Sequence, residues 1–169
     1  YGGAGDDQIH GGGGDDIIRG DKGDDILYGD AGDDDIKGGK GDDYLSGGAG
    51  DDKLKGDSGD DIIVGGAGDD ELSGGKGNDT FLFNLNEDIG SDTVKDFKLG
   101  VELRFEGPEF SHDDVEIVQD GKDAIITFNG SDVEITLDRV DADHLTSYSV
   151  TEDPSGDIVV VYENGAPGG

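Results

Sequence analysis

Cysteine, methionine and tryptophan are absent from this 169-residue chain, and aromatic residues make up only 7 % of it. Without cysteine there is no disulfide framework and no thiolate zinc site. Basic residues are scarce, with 12 lysines and arginines against 43 acids, for a formal net charge of −31. A charge of that sign repels phosphate backbones and anionic lipid, so nucleic acid and bare membrane are poor partners. No apolar run approaches the roughly 18–20 residues that a bilayer-spanning helix needs. Apolar side chains account for 31 % of the chain. With so high a net charge that share predicts disorder, unless something neutralises the carboxylates.

What the chain has in abundance is glycine, at 34 positions, and its order is periodic. From Gly2 to Leu82 the sequence divides into nine blocks of nine residues with no insertion or deletion. Position one is glycine from Gly2 to Gly74, and position four is glycine from Gly5 to Gly77. Position six is always aspartate: Asp7, Asp16, Asp25, Asp34, Asp43, Asp52, Asp61, Asp70 and Asp79. Position eight is always large and apolar, from Ile9 to Phe81, and position two departs from glycine only at Asp21, Asp30 and Asp57. The first six residues of each block are turn chemistry, because glycine supplies positive φ and aspartate tolerates turns. The last three place one apolar side chain between two mostly polar ones, as a short half-buried strand does. Turn and strand repeated in this way predict a solenoid with two blocks per coil, in which equivalent turns stack about 4.8 Å apart.

Stacked turns bring carboxylates together. Two of them about 5 Å apart repel by roughly 3 kcal/mol at an effective dielectric near 20. A column of such pairs overwhelms a core of one aliphatic residue in nine, unless a cation lies between successive turns. The ligands on offer are carboxylates and turn carbonyls. An all-oxygen set suits calcium better than zinc or copper, and better than magnesium with its strict octahedron.

Blocks such as Gly47-Gly48-Ala49-Gly50-Asp51-Asp52-Lys53-Leu54-Lys55 resemble the calcium-binding nonapeptide GGxGxDxUx of the RTX (repeats-in-toxin) family. The resemblance covers residues 2–82 and implies an all-β fold, a right-handed parallel β-roll with calcium between the turns of repeats n and n+2. It assigns the side-chain ligands to the nine position-six aspartates and leaves the position-five acids, Asp6 to Asp69 and Asn78, facing solvent. Five odd and four even repeats then offer about seven full sites.

From Thr80 the pattern changes, and glycine falls from 25 residues in 2–82 to 9 in 83–169. Candidate strands are Thr80–Phe83, Thr93–Phe97, Val101–Phe105, Val115–Gln119, Ala124–Phe128, Val133–Leu137 and Ile158–Tyr162, with turn signals at Asp120-Gly121-Lys122-Asp123 and Asn129-Gly130-Ser131-Asp132. The expected organisation is a roll over residues 1–82 and a C-terminal antiparallel β cap over 83–169, which shields the open end of the solenoid. Asn78–Phe83 and Ser91–Phe97 resemble the flank that closes many RTX rolls, and Gly100–Phe105 is one residue shorter than the usual continuation. Asp88, Asp92 and Asp96 are candidates for a further ion, with a solvated loop as the alternative. Membership of the family also implies an uncleaved type I secretion signal near the C-terminus. Asp157-Ile158-Val159-Val160-Val161 resembles one, although Glu163–Gly169 follow it and a plain cap strand explains the same residues.

No leader pattern opens the chain. It begins at Tyr1, in the register of position nine, and reads as a fragment of a longer repeat protein with an upstream enzyme, toxin or adhesin domain. Catalytic patterns are missing: histidines 10, 112 and 144 form no HExxH pair, and there is no GxSxG elbow or phosphate loop around Lys40 or Lys76. Ser58 in Gly56-Asp57-Ser58-Gly59 occupies only variable position three, and carboxylates held ionised by calcium are in the wrong state for general acids. The expectation is a non-enzymatic calcium module, secreted from a Gram-negative bacterium by the type I machinery, whose ion-driven folding follows export. The alternatives are a carbohydrate-binding module, as in secreted alginate epimerases, and an adhesin segment. Seven calcium ions leave a net charge of about −17, still repulsive to a polyanionic glycan. A basic or aromatic stripe on one sheet face would favour the glycan reading.

Overall fold

The computed structural model describes residues 1–107, 111–140 and 148–162. Nine strands lie within the repeats: β1 (Gly3–Ala4), β2 (Gln8–Gly13), β3 (Ile17–Lys22), β4 (Ile26–Ala31), β5 (Asp35–Lys40), β6 (Tyr44–Ala49), β7 (Lys53–Ser58), β8 (Ile62–Ala67) and β9 (Glu71–Lys76). Eight follow: β10 (Thr80–Asn84), β11 (Ser91–Val94), β12 (Glu102–Glu106), β13 (Val115–Asp120), β14 (Asp123–Phe128), β15 (Glu134–Leu137), β16 (Tyr148–Glu152) and β17 (Ile158–Tyr162). They form two sheets, β1-β3-β5-β7-β9-β11-β15-β14-β13 and β16-β17-β12-β10-β8-β6-β4-β2. Successive blocks therefore alternate between sheets, and partners within a sheet are 18 residues apart, as Leu27↔Leu45 and Ile36↔Leu54 are. This is the parallel β-solenoid that two blocks per coil demand.

Each repeat strand is longer than the three residues expected, because it joins positions seven to nine of one block to positions one to three of the next. The turn shrinks to positions four to six. Pairing survives because position two takes a positive φ that bends the strand without ending it. Aspartate tolerates that conformation, and Asp21, Asp30 and Asp57 adopt it at φ 76°, 76° and 78°. At position four, a Cβ on Gly41 (φ 119°) would sit 2.1 Å from the Gly23 carbonyl oxygen, so the coil spacing itself requires glycine there.

Between the sheets the position-eight residues form continuous apolar ladders. Leu27, Ile36, Leu45, Leu54, Ile63, Leu72 and Phe81 are all buried, and the same cluster runs on through Val94, Leu103, Phe105, Ile126, Ile135, Leu137 and Val160. Parallel stacking continues past Leu82, since β10 pairs in parallel with β12, and β11 with both β9 and β15. Antiparallel pairing begins only where β12 meets β17 and β15 meets β14, with β13 and β16 completing the two edges. The cap is thus antiparallel at its end and a continuation of the roll at its start. The strand expected at Thr93–Phe97 sits two residues earlier, at Ser91–Val94, and β16 was not expected. Val159 and its neighbours form β17, between β12 and β16, while His144 and Glu163–Gly169 lie outside the described residues.

Candidate metal centre

The nine position-six carboxylates stand in two columns, one at each edge where the chain crosses between sheets. One holds Asp7, Asp25, Asp43, Asp61 and Asp79, and the other Asp16, Asp34, Asp52 and Asp70. From Asp25 onward all seven are buried. Their two oxygens have different surroundings. In each of these seven, Oδ1 accepts the backbone N–H of the position-six residue one coil earlier, at 2.7–3.3 Å; Asp34 N–H donating to Asp52 at 2.8 Å is typical. Oδ2 has no hydrogen-bond partner in any of the nine, although it is shielded from solvent.

Oδ2 points to the place a side chain would fill at the position-one glycine of its own block. A Cβ on Gly47 would meet Asp52 Oδ2 at 2.2 Å and the Gly65 carbonyl oxygen of the next coil at 2.5 Å. On Gly29 it would meet Asp34 Oδ2 at 2.2 Å and the Gly47 carbonyl at 2.5 Å. Position one is glycine because a carboxylate and a carbonyl already converge there. Both are acceptors, and no hydrogen-bond donor reaches the carboxylate oxygen. Only a cation or a carboxylic proton relieves that arrangement. Among the described residues no three acidic or histidine side chains meet at one point, so an ion held here draws the rest of its shell from backbone carbonyls. That oxygen-only set fits calcium.

Without a cation, burial pushes the carboxyls upward, only partly offset by the backbone N–H each accepts and reinforced by neighbouring acids. Asp43 and Asp52 rise to about 6, Asp61 and Asp70 to about 7, and Asp34 and Asp79 rise as well. The position-five acids are exposed, as expected, yet they are not idle: their Oδ1 atoms accept from the coil that follows, as Asp42 N–H to Asp24 at 2.9 Å.

The three later acids do not converge on one ion. Asp92 is buried, accepts the Asp70 N–H at 3.0 Å and is pushed by burial up to about 8, which makes it a tenth member of the columns. Asp96 accepts from Gly74 N–H at 3.0 Å, Gly75 N–H at 2.6 Å and Ser73 Oγ at 3.2 Å. Asp88 is exposed. The partner offset of 22 rather than 18 means that residues 83–86 are an insertion, after which the nonapeptide register resumes over 87–95 and 96–104. Gly90, Asp92 and Val94 keep positions four, six and eight, and that was the available signal.

A family model for the RTX calcium-binding nonapeptide repeat matches four times, over residues 1–36, 28–63, 46–81 and 55–89. The chain belongs to the RTX calcium-binding repeat family. Proteins with such repeats are typically secreted by bacteria. Two solved structures are among those similar to the chain. One is the extracellular lipase LipA from Serratia marcescens, at 24 % identity and a TM-score of 0.42, with 85 % of this chain and 39 % of the lipase covered. The other is a subunit of the mannuronan C5-epimerase from Azotobacter vinelandii, at 24 % identity and a TM-score of 0.32, with 87 % and 76 % covered. No curated protein matches the chain. The RTX region is a calcium-binding fold.

Proposed function

We propose that this chain is a calcium-folded module of a secreted protein, in which residues 2–82, joined by Asp92, hold the ions and the C-terminal region 83–169 closes the roll. The observation that carries the reading is the row of nine Oδ2 atoms, each buried without a donor. Asp7, Asp16, Asp25, Asp34, Asp43, Asp52, Asp61, Asp70 and Asp79 supply the side-chain ligands, and carbonyls of the adjacent coil supply the rest. Seven gaps separate these aspartates within their columns, and Asp92 adds an eighth. Calcium supplies the positive charge that turns column repulsion into cohesion. Where calcium is scarce, inside the bacterium, the chain stays unfolded and can thread the type I secretion channel; outside, ions bind the folded form and draw the equilibrium over. The folded module then stabilises whatever parent it is joined to. Far-UV circular dichroism during a calcium titration tests this, with magnesium at equal ionic strength as the control. A cooperative coil-to-β change with calcium alone is expected. A full β spectrum in chelator at pH 8 would remove the export switch.

A second reading, a carbohydrate-binding module, is favoured by the distribution of basic residues. Arg19, Lys37 and Lys55 occupy successive rungs of β3, β5 and β7, whereas β2, β4, β6 and β8 carry no lysine or arginine. The row is partly neutralised by Asp35, 3.6 Å from Lys37, and by Asp57 beside Lys55. Salt-sensitive retention on an anionic glycan, lost in Lys37→Ala, is the result this reading expects.

A further inference from the structure

The two columns end differently. In the register resumed after the insertion, position six is Asp92 in one column and Val101 in the other. Beyond Asp92 the next rung is Ile135, so both columns finally close on a fully buried aliphatic side chain. Asp79 is therefore the last carboxylate of its column, directly above Val101: Thr80 pairs with Glu102, and Asp79 carbonyl accepts the Glu102 N–H at 2.8 Å. Its side chain is completely buried and its Oδ2 lacks a hydrogen-bond partner. Every other member of this column has a further position-six carboxylate one coil on. Asp79 has none, and its next coil brings a lysine instead.

Lys98 is at position three of the resumed block 96–104. Its Nζ donates to the carbonyl oxygen of Gly75, in the block to which Asp79 belongs, and lies 3.9 Å from Asp79 Oδ2. The same segment supplies Asp96, whose carboxylate takes the Gly74 and Gly75 N–H groups that no further strand pairs with. The ammonium thus sits among a carboxylate and a backbone carbonyl, with a second carboxylate nearby. Those are the oxygen types that the proposed ions meet in the gaps above. Its charge holds Asp79 back from the full rise that burial would impose.

We propose that Lys98 is the last cation of the Asp7–Asp79 column: a tethered ammonium that fills the terminal position and excludes calcium from it. This rests on the calcium reading above. An open terminal site is a weak one, with carboxylate ligands from one side only, and it would be vacated first as calcium falls. A lysine fixed by the chain cannot dissociate, so that end stays neutralised at any calcium concentration and β12 can dock against β10. The other column, ending at Asp92, has no such lysine among the described residues.

The test is the number of calcium ions per chain, counted by native mass spectrometry and by calcium titration calorimetry, in the intact chain and in Lys98→Met and Lys98→Gln. Each variant is expected to bind one ion more than the wild type, and Lys98→Arg the same number. The calcium midpoint for folding is expected to move by well under twofold, because about eight ions share a change the size of one partly exposed ion pair. Equal counts in Lys98→Met, Lys98→Gln and wild type would overturn the proposal and leave Lys98 as a surface ion pair. So would variants that reach no β spectrum at any calcium concentration, since calcium should refill the vacated position. A wild type that binds no calcium would instead sink the calcium reading itself, which keeps the two failures apart.

Discussion

Acid should do part of what calcium does. The perturbation is a pH titration of the calcium-stripped chain from 8 to 5. In the folded chain, burial places Asp43 and Asp52 at about 6, Asp61 and Asp70 at about 7 and Asp92 at about 8, against 3.8 for an ordinary aspartate. Moving one carboxyl from 3.8 to about 7 costs the folded, ionised form roughly 4 kcal/mol relative to the unfolded chain. Because these pKa values are raised, the protonated fold is favoured in full below about 4, and that advantage is lost as pH climbs through 6 to 8. Two such aspartates exceed the lower end of the roughly 5–15 kcal/mol that a small domain has in hand, and about four exceed its upper end. Neighbours in a column relieve one another when one takes a proton, so the protons should be taken up together and not as independent events.

The metal-free chain is therefore expected to be largely coil at pH 8 and to gain β structure with a midpoint between about 6 and 7, followed by far-UV circular dichroism. The sequence pI of about 4.1 brings the chain near neutrality soon below this window. Sedimentation at each pH separates folding of the monomer from association. A spectrum unchanged from pH 8 to 5, whether coil or β throughout, would refute the argument that unneutralised buried carboxylates are what keep the metal-free chain unfolded.

Two substitutions probe single positions. Asp43→Ala, in the middle block, removes a column member and leaves the Asp25 N–H, which donates to it at 2.8 Å, without an acceptor; it should split one ion column, lower the calcium count and cost about 1–3 kcal/mol beyond the lost ion, whereas Asp43→Asn keeps the acceptor and loses the ion only. An unchanged calcium titration in both would mean that position six is not the ligand. Gly47→Ala puts a methyl group 2.2 Å from Asp52 Oδ2 and 2.5 Å from the Gly65 carbonyl, so it should displace the carboxylate, cost roughly 1–3 kcal/mol and raise the calcium midpoint, while alanine at exposed Lys40 should leave both unchanged.

The roll was legible because four columns of the sequence are fixed over nine blocks, and each column has a separate physical cause. Position four is glycine for the coil spacing, position one for the carboxylate that points at it, and position eight is apolar for the ladder between the sheets. The exceptions at Asp21, Asp30 and Asp57 stand in the one glycine column whose backbone accepts a side chain, by turning to φ 76–78° where its glycines lie at 100–124°. What escaped is what a rigid nine-residue frame cannot carry across four inserted residues. Glu87 and Asp96 stand where glycine would announce a block, so the sequence groups Asp92 with Asp88 and Asp96 around one further ion or in a solvated loop, and assigns the strands after Leu82 to an antiparallel cap. Lys98 could not be read at all. Its role depends on a partner 19 positions back that only the resumed register brings within 3.9 Å.

The hydrogen bonds between coils also run in two directions, and this determines how the ions act together. Position-six carboxylates accept from the coil before them, as Asp61 does from Asp43 at 2.9 Å, and position-five carboxylates accept from the coil after them, as Asp42 does from Asp60 at 2.8 Å. Each turn is thus pinned from both sides by side chains whose orientation depends on a neighbour being folded. Within residues 2–82 the turn N–H groups bond to neighbouring coils, and no Oδ2 is neutralised from within its own coil. On the calcium reading proposed above, the unit that folds is the pair of adjacent coils with the ion between them, which is the condition for nearest-neighbour cooperativity in a one-dimensional stack. Such a stack is weakest at its ends, where a coil has one neighbour only. Val101 and Ile135 below the columns, and the antiparallel strands on β12 and β15, belong to the same mechanism as the ions: they hold the last coil in the conformation that the next coil would otherwise have imposed.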